Sequence, residues 1–226
     1  MSAQGARSFR AAFCPLPIAS SLLLDYPPRL AAVLPGVIAR GPAHDAGGAP
    51  CLYLTFDDGP DPDGTPALLE LLDAHDTRAT FFLLGQRAAR HPALVRTVAD
   101  AGHGVGSHGW DHRDPWRTPG REVLDGLDRT EAVLSDLVGG RVRDHRPPYG
   151  RLTPATLRWA RSAGRRIVLW DRMAGDFGKT AGKVRSLRPG SILVLHEGEA
   201  GRAARPRLLP PLLAALRADG WCFPAL

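Results

Sequence analysis

The fold of this chain is decided by the stretch LYLTFDDGP at residues 52–60. Residues 52–56 form an apolar run with the length and composition of a buried β-strand, and two adjacent aspartates and a Gly-Pro turn follow it. A second stretch has the same form, because residues 103–107 also have strand character and lead into SHGWDH at residues 107–112. Both stretches therefore place carboxylate or imidazole side chains at the carboxyl end of a predicted strand.

Strand patterns and helix patterns alternate from residue 51 to the C-terminus. The strands are predicted over residues 52–56, 80–84, 103–107, 142–146, 166–170, 191–195 and 221–223, and the helices over residues 65–75, 91–101, 121–137, 153–163, 181–187 and 207–218. Thr65 is the predicted N-cap of the first helix, with Pro66 at its first helical position. The alternation predicts an α/β fold with a mostly parallel sheet, and about seven such units predict a closed or nearly closed barrel.

Functional side chains lie at the carboxyl ends of several predicted strands. They are Asp57 and Asp58, His108 and His112, Arg146 with Pro148 and Tyr149, Asp171 and Asp176, and His196. In α/β barrels these strand ends converge on one face, where the active site lies. We therefore expect these residues, which are distant in the sequence, to form one site.

The side chains expected at this face suit a divalent metal ion. One of the two aspartates and the two histidines would supply a two-histidine, one-carboxylate ligand set, which suits zinc and other divalent metals. A metal with three protein ligands keeps an open position at which water is activated, and the remaining aspartate could take the proton of that water. The pattern is typical of a metal-dependent hydrolase.

Further residues at the same face are candidates for the chemistry. Arg146 would lie against Asp57 and hold that carboxylate ionised, and the two prolines after it would fix the direction of the Tyr149 backbone N–H. His196 is a candidate general acid, whose pKa a nearby carboxylate such as Asp176 would raise.

Two tryptophans near the second histidine have two interpretations. Trp110 and Trp116 either pack within the protein or offer flat surfaces on which sugar rings stack. The sequence does not favour one over the other.

Three motif-like stretches do not carry their usual function. GVGSHG at residues 104–109 matches a dinucleotide-binding pattern, but its glycines lie within the predicted strand rather than between strand and helix. GKT at residues 178–180 lacks the first glycine of a phosphate loop, because Met173 occupies that position. Ser107 is not in a nucleophile elbow, because Val105 stands where a glycine is needed.

The composition is ordinary for a globular protein. The chain has 226 residues, of which 44% are hydrophobic and 23% charged, and its formal net charge of +6 comes almost entirely from arginine. No basic run indicates a nucleic-acid partner, and no stretch reaches the ~18 apolar residues of a transmembrane helix. The three cysteines, Cys14, Cys51 and Cys222, have no disulfide or metal spacing, and we expect Cys51 and Cys222 to be small buried hydrophobes.

The N-terminal region is interpreted separately from the rest. Residues 1–50 are predicted to be a leader and a linker, and residues 51–226 a catalytic domain. Arg7 and Arg10 precede an apolar stretch, as in a signal peptide, but Pro15 and Pro17 interrupt it. A disordered leader and a misassigned start are the alternatives, so the cellular location is left open.

Five motifs together resemble the polysaccharide deacetylases, the family-four carbohydrate esterases that include chitooligosaccharide and peptidoglycan N-acetylglucosamine deacetylases. They are TFDDGP at 55–60, SHGWDH at 107–112, RPPYG at 146–150, WDRMAGDF at 170–177 and ILVLHE at 192–197. The last two depart from the family pattern, since Phe177, Val194 and Glu197 stand where Trp, Leu and Asp are usual. The resemblance implies a distorted (β/α) barrel and a carbohydrate substrate.

The resemblance also implies a role for each site residue. Asp58, His108 and His112 would bind the metal, with zinc favoured, and Asp57 would be the general base for the attacking water. Two groups would assist at the substrate: the Tyr149 backbone N–H would stabilise the oxyanion, and His196 would protonate the departing amine. Arg146 would tune Asp57, and Asp176 would tune His196.

Three alternatives to N-acetylglucosamine deacetylation stay open at this point. Two are hydrolases on the same fold, acting on O-acetyl esters of sugars or on small amides. The third is a sugar-binding descendant without catalysis, which would need neither the base Asp57 nor the acid His196.

Overall fold

The structure is a computed structural model that describes residues 34–173 and 187–226. Its eight described strands form one parallel sheet. They are β1 (Val37–Ile38), β2 (Leu52–Gly59), β3 (Thr80–Leu83), β4 (Gly104–Ser107), β5 (Asp144–His145), β6 (Arg166–Val168), β7 (Arg172–Met173) and β8 (Ser191–His196). The predicted α/β class with a parallel, barrel-like sheet is confirmed, with one more strand than expected. Two strands, β1 and β7, were not predicted, and β1 lies within the region that the sequence assigned to leader and linker.

The order of the strands shows how the sheet curves into a distorted barrel. The order is β1-β6-β5-β4-β3-β2-β8-β7, so β6 and β7 lie towards opposite ends of the sheet. These two strands belong to one extended segment, residues 166–173, which pairs with β5 and β1 through β6 and with β8 through β7. Because one short segment reaches both ends, the sheet must curl back on itself.

Six α-helices cover the described part of the sheet and confirm most of the predicted helices. They are α1 (Thr65–Ala74), α2 (Gly85–Arg90), α3 (Pro92–Asp100), α4 (Gly120–Val138), α5 (Pro154–Ser162) and α6 (Glu199–Ala218). Proline lies in the first turn of α1, α3 and α5, where its missing N–H costs no helical hydrogen bond. The helix predicted over residues 181–187 lies almost entirely outside the described residues.

Two details of the helix predictions were wrong. Thr65 is the first helical residue rather than the N-cap, because Gly64 holds the cap position and the Thr65 hydroxyl is bonded elsewhere. Helix α6 begins eight residues before the predicted start, because Pro206 lies inside it and hides its helical pattern. Within the described residues, no helix is both long and apolar enough to cross a membrane.

The core lies between the sheet and its helices, and β2 is its centre. Leu52, Leu54 and Phe56 have no exposed surface, since β2 pairs with β3 on one side and with β8 on the other. An interior parallel strand that is covered on both faces reads as a continuous apolar run, which is why this stretch was so informative in the sequence. The last residues of β2 therefore lie in the middle of the edge that the carboxyl ends of the strands form.

The last predicted strand, over residues 221–223, is not a strand. Its only pairing in the described structure is a single parallel bridge between Cys222 and Cys51. One hydrogen-bonded pair is too short to count as a strand, although it fixes the C-terminal segment beside the beginning of β2.

Candidate metal-dependent hydrolase site

The carboxyl ends of β2, β4 and β8 bring the predicted site residues together. Asp57 of β2 is directly in register with His196, the last residue of β8. On the other side, β3 separates β2 from β4, after which His108 follows. Side chains that are up to 139 residues apart in the sequence are thereby held at one edge of the sheet.

A β-bulge at Asp58 turns both aspartates towards the same site. In the pairing of β2 with β3, Asp57 lies opposite Phe82 and Gly59 opposite Leu83, so Asp58 is an extra residue. Its φ is 74°, in the left-handed region that side chains rarely adopt. Adjacent residues of a regular strand point to opposite faces, but here both carboxylates approach the His108 ring.

Asp58, His108 and His112 form a group that could hold a metal ion. One ligand atom from each lies within 4.8 Å of the other two. Nε2 of His108 is 3.5 Å and Nε2 of His112 is 3.3 Å from Oδ1 of Asp58. His112 also has a left-handed backbone, with a φ of 61°, so both ends of this cluster are held by unusual local conformations.

The surroundings of these three residues fit a divalent cation. Oδ1 of Asp58 is buried and has no hydrogen-bond partner among the described residues, which is costly unless a cation occupies the space beside it. Nδ1 of His108 is 2.8 Å from the Arg146 carbonyl oxygen, which can only accept, so Nδ1 carries the hydrogen and Nε2 presents a lone pair. Burial lowers the pKa of His108 to about 3, which keeps this ring neutral.

Asp57 has a different environment, because it is paired with the fully buried Arg146. The Arg146 guanidinium donates to Oδ1 of Asp57 at 2.7 Å and to the Thr55 hydroxyl at 2.7 Å. Its other nitrogens donate to the carbonyl oxygens of Val168 and Leu169, so the arginine connects β2 with the end of β6. The predicted contact of Arg146 with Asp57 is present in the structure.

The electrostatics of Asp57 are a balance between burial and neighbouring cations. Burial raises the pKa of its carboxyl, and Arg146 and then His196 act in the opposite direction. Oδ2 of Asp57 is 3.9 Å from Nε2 of His108, so it faces the candidate metal group while Oδ1 faces Arg146. This arrangement leaves one carboxylate oxygen directed to the place where a reacting water would lie.

Two aspartates that were expected at a strand end, Asp171 and Asp176, are not among the described residues of the site. Asp176 lies outside the described residues. The structure places Asp171 elsewhere: it is 3.5 Å from Arg40, and its Oδ1 accepts from the Ile192 N–H near the beginning of β8. Asp171 therefore holds strands together instead of lining the strand ends, which corrects its expected position.

Tyr149 and Trp116 form an exposed aromatic row beside His112. The Tyr149 ring is 4.8 Å from the His112 ring and 59% exposed, and its backbone is left-handed with a φ of 59°. The Arg151 guanidinium lies between the two aromatics, 5.3 Å from the centre of the Tyr149 ring and 4.7 Å from that of Trp116. Trp116 is 42% exposed.

The Trp110 ring packs against neighbouring residues of the protein. Arg129 lies 3.6 Å from the centre of its ring, and a Cβ added at Gly85 would be only 2.6 Å from it. The ring also lines a cavity of about 450 Å³ next to His112. Of the two tryptophans, Trp116 thus has the free surface.

The sequence did not reveal a buried hydrogen-bond chain behind the two aspartates. The Asp61 N–H donates to the Thr65 hydroxyl, which donates to the Glu197 carboxylate, and the Glu197 N–H donates to the Asp57 carbonyl oxygen. Glu197 has no exposed surface and packs directly against Gly59. The only signal was the glutamate after His196, at a position where the related family has aspartate.

These features define a class of protein, a parallel α/β barrel with a two-histidine, one-aspartate group beside an arginine-paired aspartate. The family model for polysaccharide deacetylases matches residues 44–168. The chain belongs to the polysaccharide deacetylase family, in which the deacetylases are hydrolases that act on amide bonds. The resemblance seen in the five motifs is therefore confirmed.

Relatives with assigned activities are similar over most of this chain. It is 35% identical over 154 residues to a peptidoglycan-N-acetylglucosamine deacetylase of Bacillus cereus, covering 66% of this chain but only 56% of that protein. It is 33% identical over 195 residues to a chitooligosaccharide deacetylase of Azorhizobium caulinodans, covering 77% of this chain and 92% of that protein. The solved Bc1960 peptidoglycan N-acetylglucosamine deacetylase superposes with a TM-score of 0.77 at 29% identity, covering 84% of this chain and 91% of that one.

Proposed function

We propose that this protein is a metal-dependent hydrolase that removes N-acetyl groups from N-acetylglucosamine units of oligo- or polysaccharides. The observation that carries the proposal is the placement of Asp57, which is paired with Arg146 on one side and faces the Asp58, His108 and His112 group on the other. The names of the relatives supply the substrate class, since they act on peptidoglycan or on chitooligosaccharides.

Asp58, His108 and His112 would hold the metal, and we propose zinc. Two imidazoles and one carboxylate with an open position are a ligand set that catalytic zinc sites use. Such a cation supplies Lewis-acid chemistry, because it lowers the pKa of water and polarises a carbonyl oxygen. The remaining steps belong to the protein side chains.

Asp57 is the general base of the proposed reaction. It takes a proton from the water that attacks the acetyl carbonyl carbon, and burial raises its pKa towards the range in which a carboxylate accepts protons efficiently. Arg146 holds the carboxylate in place through a 2.7 Å hydrogen bond. The backbone N–H of Tyr149 is the proposed donor to the oxyanion that forms.

His196 is the proposed general acid. It ends β8 in register with Asp57 on the neighbouring strand, so an acetamido group at this edge of the sheet would meet both the base and the acid. His196 gives a proton to the amine nitrogen as the carbon–nitrogen bond breaks, which releases acetate and a glucosamine unit. We propose that Asp176 raises the pKa of His196.

The sugar chain would lie along the aromatic row that leads away from His112. Tyr149 and Trp116 offer exposed rings that both lie near the Arg151 guanidinium, and sugar rings pack well on such surfaces. For Trp110 we propose a structural role, because its ring is packed against Arg129.

The test is acetate release from a panel of acetylated substrates. N-acetylchitooligosaccharides, peptidoglycan fragments and O-acetylated xylan are incubated with the purified full chain and zinc. Release from one of the first two, and slow or absent release from xylan, supports the proposal. Release from xylan alone would replace it with O-acetyl esterase activity, and binding of the oligosaccharides without release from any substrate would indicate a sugar-binding protein.

A further inference from the structure

Two cysteines that are far apart in the sequence meet at the amino-terminal side of the sheet. Their sulfur atoms are 2.9 Å apart, although 171 positions separate the residues. We propose that Cys51 and Cys222 are an oxidation site, at which a low-molecular-weight disulfide such as oxidised glutathione converts the two thiols into an intramolecular disulfide bond. Neither cysteine takes part in the proposed hydrolysis.

The backbone already holds the two residues in the geometry that a disulfide needs. Cys51 and Cys222 form a parallel bridge, in which the Leu52 N–H donates to the Cys222 carbonyl oxygen at 3.0 Å and the Cys222 N–H donates to that of Pro50 at 2.9 Å. Neighbouring extended segments lie about 4.8 Å apart. Disulfides form between Cα atoms roughly 4.4–6.8 Å apart, so the bond needs little movement of the backbone.

The exposure of the two thiols sets the order of the reaction. Cys51 is 1% exposed, whereas Cys222 is only partly buried, so a small oxidant reaches Cys222 first. Burial and the Cys51 thiol raise the pKa of Cys222 to about 12, so little thiolate exists at neutral pH. Because the thiolate is the reacting form, oxidation is expected to be slow at neutral pH and faster at higher pH.

The reaction has two exchange steps. The Cys222 thiolate attacks a sulfur of oxidised glutathione, forming a mixed disulfide and releasing one glutathione thiolate. The Cys51 thiolate then attacks the Cys222 sulfur, forming the Cys51–Cys222 bond and releasing the second glutathione. The two cysteines lose two electrons and two protons, and the glutathione disulfide gains them as two thiols.

The bond would fasten the C-terminal segment to the sheet. That segment is already tied to β3 and the residues before it, since the Phe223 carbonyl accepts from the Arg78 N–H and the Leu226 N–H donates to Thr80. A covalent link over such a long loop restricts the unfolded chain strongly. The link lies at the beginning of β2, away from the strand ends that carry the candidate site, so the acetate-release rate should not change.

The test is mass spectrometry of the full chain carrying Cys14→Ser, so that only this pair of cysteines remains. The reduced protein is incubated with oxidised glutathione at pH 8.5, alkylated and digested without reduction. We expect loss of two hydrogen atoms, no alkylation of either cysteine, and a linked peptide that contains Cys51 and Cys222. The thermal midpoint Tm should rise by about 5–10 °C on oxidation.

A single substitution provides the matched control. In the Cys51→Ser variant the reaction should stop at a glutathione adduct on Cys222, and Tm should not rise. In the protein with both cysteines, alkylation of both Cys51 and Cys222 after the incubation would overturn the proposal, because it would show that neither thiol had been oxidised. Stable glutathione adducts on that protein, without a linked peptide, would overturn it as well, because they would show that the two sulfurs cannot reach bonding distance.

Discussion

Asp57 and Asp58 are neighbours in the chain but have opposite surroundings. Asp57 is 2% exposed and bound to Arg146, whereas the Asp58 side chain is 27% exposed and directs towards His108 and His112 a buried oxygen that has no hydrogen-bond partner in the described part of the chain. The guanidinium keeps the buried Asp57 carboxylate ionised, which is the form that can accept a proton, whereas the Asp58 oxygen is suited to bind a metal. In the proposed mechanism, this difference in surroundings lets Asp57 act as the base and Asp58 as a metal ligand.

Replacing Asp57 by Asn tests this division at the residue scale. The amide keeps the size of the side chain but cannot take a proton, so acetate release should fall by a factor of roughly 10²–10⁴. Metal affinity, measured by competition with a chromogenic chelator, should change by less than about threefold because Asp57 is not a proposed ligand. Activity close to that of the wild type would contradict its role as the base.

The two tryptophans give a matched pair of substitutions. Trp116→Ala should raise KM for long oligosaccharides by roughly 3–10-fold, the effect of losing about 1 kcal/mol of aromatic contact, and should leave Tm nearly unchanged. Trp110→Ala should instead lower Tm, because that ring is packed against Arg129 and close to Gly85. Steady-state kinetics and thermal unfolding of both variants distinguish a surface for sugar from a packing residue.

At the scale of elements, the end of β8 holds the loop between β2 and α1. The hydrogen bonds Asp61–Thr65–Glu197 and the hydrogen bond from the Glu197 N–H to the Asp57 carbonyl oxygen hold this loop on both sides of Asp58, the proposed metal ligand. Residues that orient metal ligands in this way commonly change metal affinity by 10–100-fold when they are replaced.

The Thr65→Val and Thr65→Ser variants test whether this hydrogen-bond chain affects metal binding at the candidate site. Valine keeps the shape of threonine but cannot donate to Glu197, so the metal dissociation constant should increase about tenfold. Serine keeps the hydroxyl and should bind metal as the wild type does. If both variants bind metal equally well, the hydrogen-bond chain stabilises only the fold.

Local pattern predicted most of the elements, and it failed where tertiary contacts decide the structure. Strand β2 is a continuous apolar run and helix α4 has clear helical periodicity, and both were found within a few residues. Strand β1 has two residues and therefore no periodicity. The bulge at Asp58 also leaves no mark in the sequence, because it arises from the register between β2 and β3.

At the scale of the whole molecule, the candidate site was largely predictable because parallel strand ends converge. The placement of Asp57, Asp58, His108, His112, Arg146 and His196 follows from that one rule and from the five motifs. Asp171 was misplaced, because the chain leaves β6 and continues into β7 at that point, so the residue does not lie at a free strand end. The approach of Cys51 to Cys222 depends on the final position of the C-terminal segment, which no local pattern encodes.

The stability of the whole molecule should depend on pH through His103. This side chain is 7% exposed, its Nδ1 accepts from the Ala79 N–H, and burial and then Arg78 lower its pKa to about 4, although Asp73 opposes them. Between pH ~6.5 and about 4 the unfolded chain binds a proton that the folded chain excludes, so this part of the stability is present above pH ~6.5 and is lost as the pH falls.

The measurement for His103 is urea unfolding at pH 7.5 and pH 5. The free energy of unfolding of the wild type should fall by about 2 kcal/mol more than that of His103→Asn, which keeps an acceptor near Nδ1 but cannot be protonated. An equal fall in the two proteins would show that His103 does not contribute to the pH dependence.

The decisive measurement of metal-dependent hydrolysis is the rate of acetate release from N-acetylchitooligosaccharides and peptidoglycan fragments as zinc is titrated into the chelated protein. We expect no release from the chelated protein, full recovery at about one zinc ion per chain, and no recovery in the Asp58→Ala variant. Acetate release that survives chelation would contradict the assignment of Asp58, His108 and His112 as the metal site of a hydrolase. Full recovery of release by zinc in the Asp58→Ala variant, to the wild-type rate, would contradict it as well.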